Sequence, residues 1–307
     1  MTAPQTVDGP TGSIYDLGYR GYTGPRLGRS HAIRSLLGHS FRSAYGIGRG
    51  ARAKIAPITF GAIGLLPAVA LVGILTIASR FGEEAQELLT GQAPISYASY
   101  FSLMTIPLIL FCAAQAPELF GRDQRHGVLS LYFARALRRS DYAIARLAGF
   151  ILALVLLQLL PNLVMFFGRV LVSEDIVEGF RREAPSILPA LTQIGLSSAL
   201  MGGLAMVVSA FTPRRAYATA GIIALFLVPS IVAGVVTGLG SSGIGEWLVL
   251  LSPTSALDGT NAVLFDQDLG QEFFFVSLPD WAYLADVVVG IVASLVVSVR
   301  RFVRIAT

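Results

Sequence analysis

The chain has few residues that could carry out chemistry, and their spacing matches none of the common catalytic motifs. A P-loop ATPase needs the pattern G-x-x-x-x-G-K-[ST], in which the lysine neutralises the phosphates. Lys54 is the single lysine of the chain, and no glycine loop precedes it. The three histidines, His31, His39 and His126, match neither H-E-x-x-H nor another paired metal-ligand spacing. We therefore expect no catalytic residue, metal site or cofactor in this chain.

Four uncharged amides lie inside apolar segments, where polar groups are costly and often functional. They are Gln115, Gln158, Asn162 and Gln193. Gln115, Gln158 and Asn162 are candidates for lining a substrate path through a membrane. The alternative for each amide is an interhelical hydrogen bond that fixes packing. No carboxylate is expected near the middle of a span, which disfavours proton- or sodium-coupled transport.

The elements that must position these groups are predicted by composition. Of 307 residues, 54% are hydrophobic and 14% are charged, and the mean hydropathy is +0.66. This balance excludes a large soluble enzyme and a disordered chain. A helix needs about 20 apolar residues to cross the hydrocarbon core of a bilayer. The segments that reach this length are residues 57–79, 97–120, 143–172, 188–211, 216–240 and 281–299. The expected fold is an all-α polytopic membrane protein with six transmembrane helices.

Basic residues are concentrated on one side of this topology. That side holds 19 of the 23 Lys and Arg residues, and the other side collects most of the acidic residues. Because cytoplasmic loops retain basic groups, both termini are expected in the cytoplasm. The pI near 9.4 indicates this topology and contact with anionic membrane lipids, not binding of nucleic acid.

The regions outside the spans differ in character. Residues 1–29 are rich in Gly and Pro and are expected to form an irregular cytoplasmic tail. Residues 30–56 are expected to form an amphipathic helix on the inner membrane surface; the alternative is a basic flank that only fixes the topology. The transmembrane domain covers residues 57–299, and residues 300–307 form a basic cytoplasmic C-terminus. The apolar arc of the amphipathic helix contains Ile33, Leu36, Leu37, Phe41, Ala44 and Tyr45.

The loop of residues 121–142 is longer than a simple connection and contains a short apolar stretch around residues 127–133. We expect a short helix there, flanked by basic residues. Exposed apolar side chains on a short cytoplasmic helix favour a protein partner. The alternative is a juxtamembrane helix packed on its own bundle. On the outer side, residues 247–251 and 272–276 are apolar but too short to cross, and are expected to form re-entrant or surface helices.

Two neighbouring stretches carry a pattern. Residues 117–132 read Pro-Glu-Leu-Phe-Gly-Arg-Asp-Gln-Arg-His-Gly-Val-Leu-Ser-Leu-Tyr, with an acid at the end of the second span, a basic cluster, and a glycine before apolar residues. The third span then opens with the form R-x-x-Y-x-x-A-[KR]. The residues that fit this opening are Arg138, Arg139, Asp141, Tyr142 and Arg146. Together with the topology, this pattern resembles the membrane subunit of type-2 ATP-binding-cassette exporters.

The resemblance implies a mechanical role for this chain. A separate cytosolic ATPase, which holds ATP and Mg²⁺, would grip the short helix and pass its closure to spans two and five at the interface with a second permease. The implied ATPase-coupling residues are Glu118, Arg122, Arg125, Gly127, Val128, Leu129, Leu131, Tyr132 and Phe133. Glu118 is also expected to pair with Arg122, four residues later. Substituting Leu129 or Tyr132 by Asp is expected to uncouple ATP hydrolysis without unfolding the bundle.

The expected function is therefore that of a permease subunit that exports a hydrophobic or amphipathic substrate across a bacterial inner or plasma membrane. The second permease is either a copy of this chain or a homologous chain. An ion-coupled secondary transporter is an alternative function, as is a membrane anchor or signalling partner without transport.

Overall fold

A computed structural model describes Gly24 and residues 27–80, 96–134, 137–173, 175–238, 244–266 and 278–304. These ranges are helical and contain no β-strand. The helices are α1 (Gly28–Ala44), α2 (Arg52–Ala78), α3 (Tyr97–Ala116), α4 (Arg122–Arg125), α5 (Leu129–Phe133), α6 (Arg139–Val172), α7 (Ile176–Glu183), α8 (Ile187–Phe211), α9 (Arg215–Gly238), α10 (Ile244–Trp247), α11 (Pro253–Leu264) and α12 (Asp280–Arg304). The tail and the apolar stretch 272–276 discussed above lie almost wholly outside the described residues.

Six helices in the described ranges are long and apolar enough to cross a membrane: α2, α3, α6, α8, α9 and α12. They coincide with the predicted spans, so the prediction of a multi-pass, all-α membrane protein is confirmed. The first spanning helix, α2, begins at Arg52, earlier than predicted, and the last, α12, continues to Arg304. We call the end of the bundle where α2, α6 and α9 begin the basic end, and the other the opposite end.

The N-terminal helix α1 ends at Ala44, well before the predicted end at residue 56. The chain turns through residues 45–51 because Gly46 and Gly48 adopt positive φ angles of 66° and 80°. Such angles are unfavourable for residues with a Cβ atom. The turn at Gly46 also lies against α2, since a Cβ there would come within 2.6 Å of the Ala53 carbonyl oxygen. Residues 52–56, assigned above to the amphipathic helix, therefore belong to the first span.

The apolar side of α1 packs against α6. Gly149 permits the close approach, because a Cβ at this position would lie 2.6 Å from the Leu37 carbonyl oxygen. The Tyr45 hydroxyl donates to the Ala153 carbonyl over 2.7 Å, and Arg29 binds both carboxylate oxygens of Asp141 at 2.7 and 2.6 Å. The side of α1 predicted to be apolar is thus covered largely by protein.

Short-range polar contacts join the helices at the opposite end. Ser252 caps α11 by accepting a hydrogen bond from the Ser255 amide, and its hydroxyl lies 3.1 Å from that of Ser230 on α9. The Asn261 amide donates to the Ala98 carbonyl on α3 at 2.8 Å. These contacts hold α11 against two spans, while residues 248–251 form a 3₁₀ turn that precedes it.

Candidate functional site

The second span changes geometry where the candidate site begins. Pro117 has no N–H, so the Ala113 carbonyl, four residues earlier, lacks its usual helical donor. The Thr219 hydroxyl on α9 donates to that carbonyl at 2.9 Å. The next residues, Pro117–Gly121, form a π turn that leads directly into α4. The end of α3 is therefore joined to the fifth span.

Glu118 lies in this π turn and connects three parts of the chain. One carboxylate oxygen accepts from Arg49 at 2.6 Å, and the other lies 3.0 Å from a guanidinium nitrogen of Arg215. The expected pairing with Arg122 is not found; Arg122 is exposed. The wider π turn alters the angular relation between residues four apart, so Glu118 faces α2 and α9 instead. Glu118 thus links the α1–α2 turn, the second span and the fifth span.

The predicted short helix is present as α5, and the turn before it contains Gly127 with a φ of 64°. Its apolar residues do not share one environment. Leu131 is 68% exposed, whereas Leu129 is only 7% exposed and belongs to the hydrophobic core. Val128 and Phe133 are half-buried. Of the expected coupling residues, Leu131 is the one whose apolar side chain is open to a partner.

A buried arginine fixes α5 to the bundle. Arg146 on α6 is 2% exposed and forms an ion pair with Asp123, which also accepts from the Tyr142 hydroxyl at 2.7 Å. Arg146 donates to the Tyr132 hydroxyl on α5 at 3.2 Å and to Ser40 on α1 at 3.4 Å. One guanidinium thus connects α1, α4, α5 and α6. Movement of α5 is expected to affect each of these elements.

Two of the expected experiments on this segment must be corrected. Leu129→Asp would place a carboxylate in the core, and Tyr132→Asp would remove the hydroxyl that Arg146 contacts and the ring 5.4 Å from Tyr142. The first change would disturb folding, because a buried charge without a partner is strongly unfavourable. The second would remove contacts that hold α5 to α6. Leu131 is the residue that tests coupling without this complication.

A cavity of about 580 Å³ lies beside α5 and is lined by charged and aromatic groups. His39, Arg122, Asp123 and Tyr132 contribute to its wall. Burial, followed by the nearby Arg146 charge, lowers the pKa of His39. Arg122, which lines the cavity, and Arg125, three residues later, are both exposed, so this part of the surface is basic. Within the described ranges, no group of three or more His, Cys, Asp or Glu side chains could hold a metal ion.

The amides considered for a substrate path have different surroundings. Gln158 is fully buried, donates to Ser198 at 2.8 Å and accepts from Ser197 at 2.9 Å. These contacts agree with the alternative that Gln158 fixes helix packing, since Gln158 is enclosed between α6 and α8 of the same chain. Asn162 donates to the Gln158 carbonyl on its own helix. Gln115 lines a second cavity at the basic end of the bundle.

The remaining amide, Gln193, donates to the Leu257 carbonyl of α11 at 3.1 Å. It therefore also joins two elements of the same chain.

Sequence reasoning did not identify three residues that form ion pairs at this site. Asp123 gave no signal beyond its place in the basic cluster, although it is the buried partner of Arg146. Arg49 was assigned to the polar face of the amphipathic helix and Arg215 was counted only as a basic flank, but both bind Glu118. The opening pattern of the third span contained a usable signal, because its Tyr142 and Arg146 both contact Asp123.

Comparison with models of known protein families and with curated protein sequences finds no match for this chain. The likeness to a transporter family therefore rests on the chain's own residues and topology.

Proposed function

We propose that this protein is the permease subunit of an ATP-driven exporter, powered by a separate cytosolic ATPase. The observation that carries the proposal is the position of Leu131. This apolar side chain is exposed on α5, a short helix outside the spans that is held to the bundle by Tyr132 and Arg146. A surface of this kind suits a protein partner that applies force to the bundle.

The connection from α5 to the spans supports a mechanical role. Tyr132 meets Arg146 on the third span, and Arg146 meets Asp123 at the end of the second span. Five residues before Asp123, Glu118 binds Arg215 at the start of the fifth span. A displacement of α5 therefore has a continuous route to spans two, three and five. ATP and Mg²⁺ would be held by the partner, because this chain contains no P-loop.

The second permease is best placed against the first and fifth spans. The apolar windows of α2 and α9 are each 17% buried, whereas that of α3 is 61% buried. The second span has little free surface for a partner, in contrast to the arrangement of spans two and five implied above. We propose that two permeases meet along α2 and α9, with both termini in the cytoplasm of a bacterial cell. The cargo is hydrophobic or amphipathic, because few charges lie within the spans.

Leu131→Asp tests this proposal in the full-length protein reconstituted with its ATPase. The change should preserve the unfolding free energy to within about 0.5 kcal/mol, because exposed side chains contribute little. It should abolish export and the stimulation of ATP hydrolysis by the permease. Leu251→Asp is the matched control, since Leu251 is 69% exposed at the opposite end. Normal ATP-driven export by Leu131→Asp would contradict the proposal.

One observation favours a second candidate, an ion-coupled transporter. Asp258 on α11 is half-buried, and burial raises its pKa to about 7. A carboxyl group that titrates near neutrality could exchange a proton between the two sides. Transport driven by a pH gradient without any ATPase, and abolished by Asp258→Asn, would favour this candidate over the first.

A further inference from the structure

A cavity of about 560 Å³ at the basic end lies apart from α5. It is formed by the start of α2, the end of α3 and the start of α9. Three arginines, Arg49, Arg52 and Arg215, line it together with Glu118 and Gln115. The other lining residues are small: Gly50, Ala51, Ala53 and Ala56.

The charges in this cavity do not balance. Glu118 uses one oxygen for Arg49 and the other for Arg215, at 2.6 and 3.0 Å. Each guanidinium has several N–H donors, so these pairs leave donors available. Arg52 is exposed, and within the described ranges its charge has no carboxylate partner. Three cations facing one carboxylate give the cavity a net positive charge.

The cavity lies at the start of two candidate membrane spans. Arg52 and Arg215 are the first residues of two helices that can cross a membrane. Immediately beyond Arg52, Ile55 and Ile58 on α2 are 62% and 66% exposed. A positively charged cavity above an exposed apolar helix surface matches a phospholipid, whose phosphate and acyl chains are adjoining parts.

We propose that this cavity binds a negatively charged phosphate group, supplied by an anionic phospholipid. Arg52 and Arg215 donate hydrogen bonds to the phosphate oxygens, as arginine does in many phosphate sites. The acyl chains lie along Ile55 and Ile58. Because Arg215 and Arg49 also bind Glu118, the bound lipid stabilises the α1–α2 turn against the second and fifth spans. This lipid site requires only that the protein lies in a membrane; it does not require that the protein is an exporter.

The test uses the full-length protein in neutral detergent, titrated with phosphatidylglycerol or phosphatidylcholine. Binding is followed by native mass spectrometry and by the thermal unfolding midpoint. Arg52→Gln should weaken phosphatidylglycerol binding about tenfold, since it removes charge-assisted hydrogen bonds to the phosphate that a residue outside the cavity does not make. Lys54→Gln is the matched control, because Lys54 is exposed on the same turn of α2 but does not line the cavity. It should bind phosphatidylglycerol as the unaltered protein does.

The phosphate group could also come from free inorganic phosphate, which is therefore added to the protein in the same neutral detergent with phosphatidylcholine. If phosphate raises the unfolding midpoint of the unaltered protein but not that of Arg52→Gln, while phosphatidylglycerol binds both proteins equally, the phosphate site is supported and the lipid source is overturned. Arg215→Gln provides a second variant and should weaken lipid binding in the same direction. Equal effects of Arg52→Gln and Lys54→Gln, or no effect of either, would overturn the site itself.

Discussion

At the basic end of the bundle, arginine side chains reach across helices to carboxylates at short distances. At the opposite end hydroxyl and amide groups make several of the contacts between elements, and the pair Arg169–Glu183 is longer, at 3.9 Å. Arg146 alone reaches Asp123, Tyr132 and Ser40 on three different elements. In contrast, Asn261 on α11 donates one hydrogen bond to one carbonyl of α3. Long charged side chains can keep a contact while the helices move, but short polar groups cannot. If the proposed function holds, this difference would let motion enter at the basic end while α11 holds the opposite end together.

Arg146→Ala should give the largest loss of stability. Removing this side chain leaves Asp123 buried without its cationic partner, which typically costs about 3–5 kcal/mol. The free energy of unfolding of the purified protein in detergent measures the effect. Arg122→Ala is the control, because Arg122 is exposed on the same segment as Asp123, and it should change stability by less than about 0.5 kcal/mol. Equal losses for the two variants would show that the buried network does not hold the basic end.

Asp258→Asn should change the pH dependence of stability at the opposite end. The pKa of Asp258 rises from 3.8 to about 7 in the folded protein, so between these values the folded state binds more protons than the unfolded state. Stability from this group is therefore full at low pH and is lost as pH rises towards 7. At pH 8 the asparagine variant should be the more stable protein, by up to about 4 kcal/mol, since each unit of the pKa difference corresponds to about 1.4 kcal/mol. Unfolding from pH 5 to pH 8 checks this, and parallel curves for the two proteins would contradict the burial of Asp258.

Asn261→Ala should have a smaller effect, about 1 kcal/mol, because it removes one hydrogen bond between helices. Asn162→Ala is the matched comparison. Asn162 is similarly buried, but its amide donates within its own helix. The unfolding free energy should fall more for Asn261→Ala than for Asn162→Ala. The reverse order would contradict the conclusion that α11 joins helices through Asn261.

The spans were predictable from the sequence because burial of long apolar runs in lipid depends mainly on length and composition. The end of α1 was not, although the Gly-Ile-Gly-Arg-Gly stretch at residues 46–50 contained the signal for a turn. The helical periodicity of the apolar residues led to a predicted amphipathic helix that continued through these glycines. The positive φ angles of Gly46 and Gly48 show that the glycines decide where the helix ends.

The sequence predicted which segment forms the candidate site, but not which of its side chains are buried or which residues they contact. A helix as short as α5 has too few turns for its sequence to reveal which side faces the bundle, so Leu129 and Leu131 could not be distinguished. The partners of Glu118 are 69 and 97 residues away along the chain. Contacts of this range depend on the packed fold, and the local spacing to Arg122 suggested the wrong partner.

The most direct test of the account is site-specific cross-linking from α5. Cys112 is the single native cysteine and is buried, so Leu131→Cys provides one accessible thiol for a photoreactive maleimide. Irradiation of native membranes should attach the full-length protein to an ATPase with a Walker motif, identified by mass spectrometry, in an ATP-dependent manner. Leu251→Cys, equally exposed at the opposite end, should give no such product. Absence of the ATPase product from Leu131→Cys, or equal yields from both positions, would contradict the account.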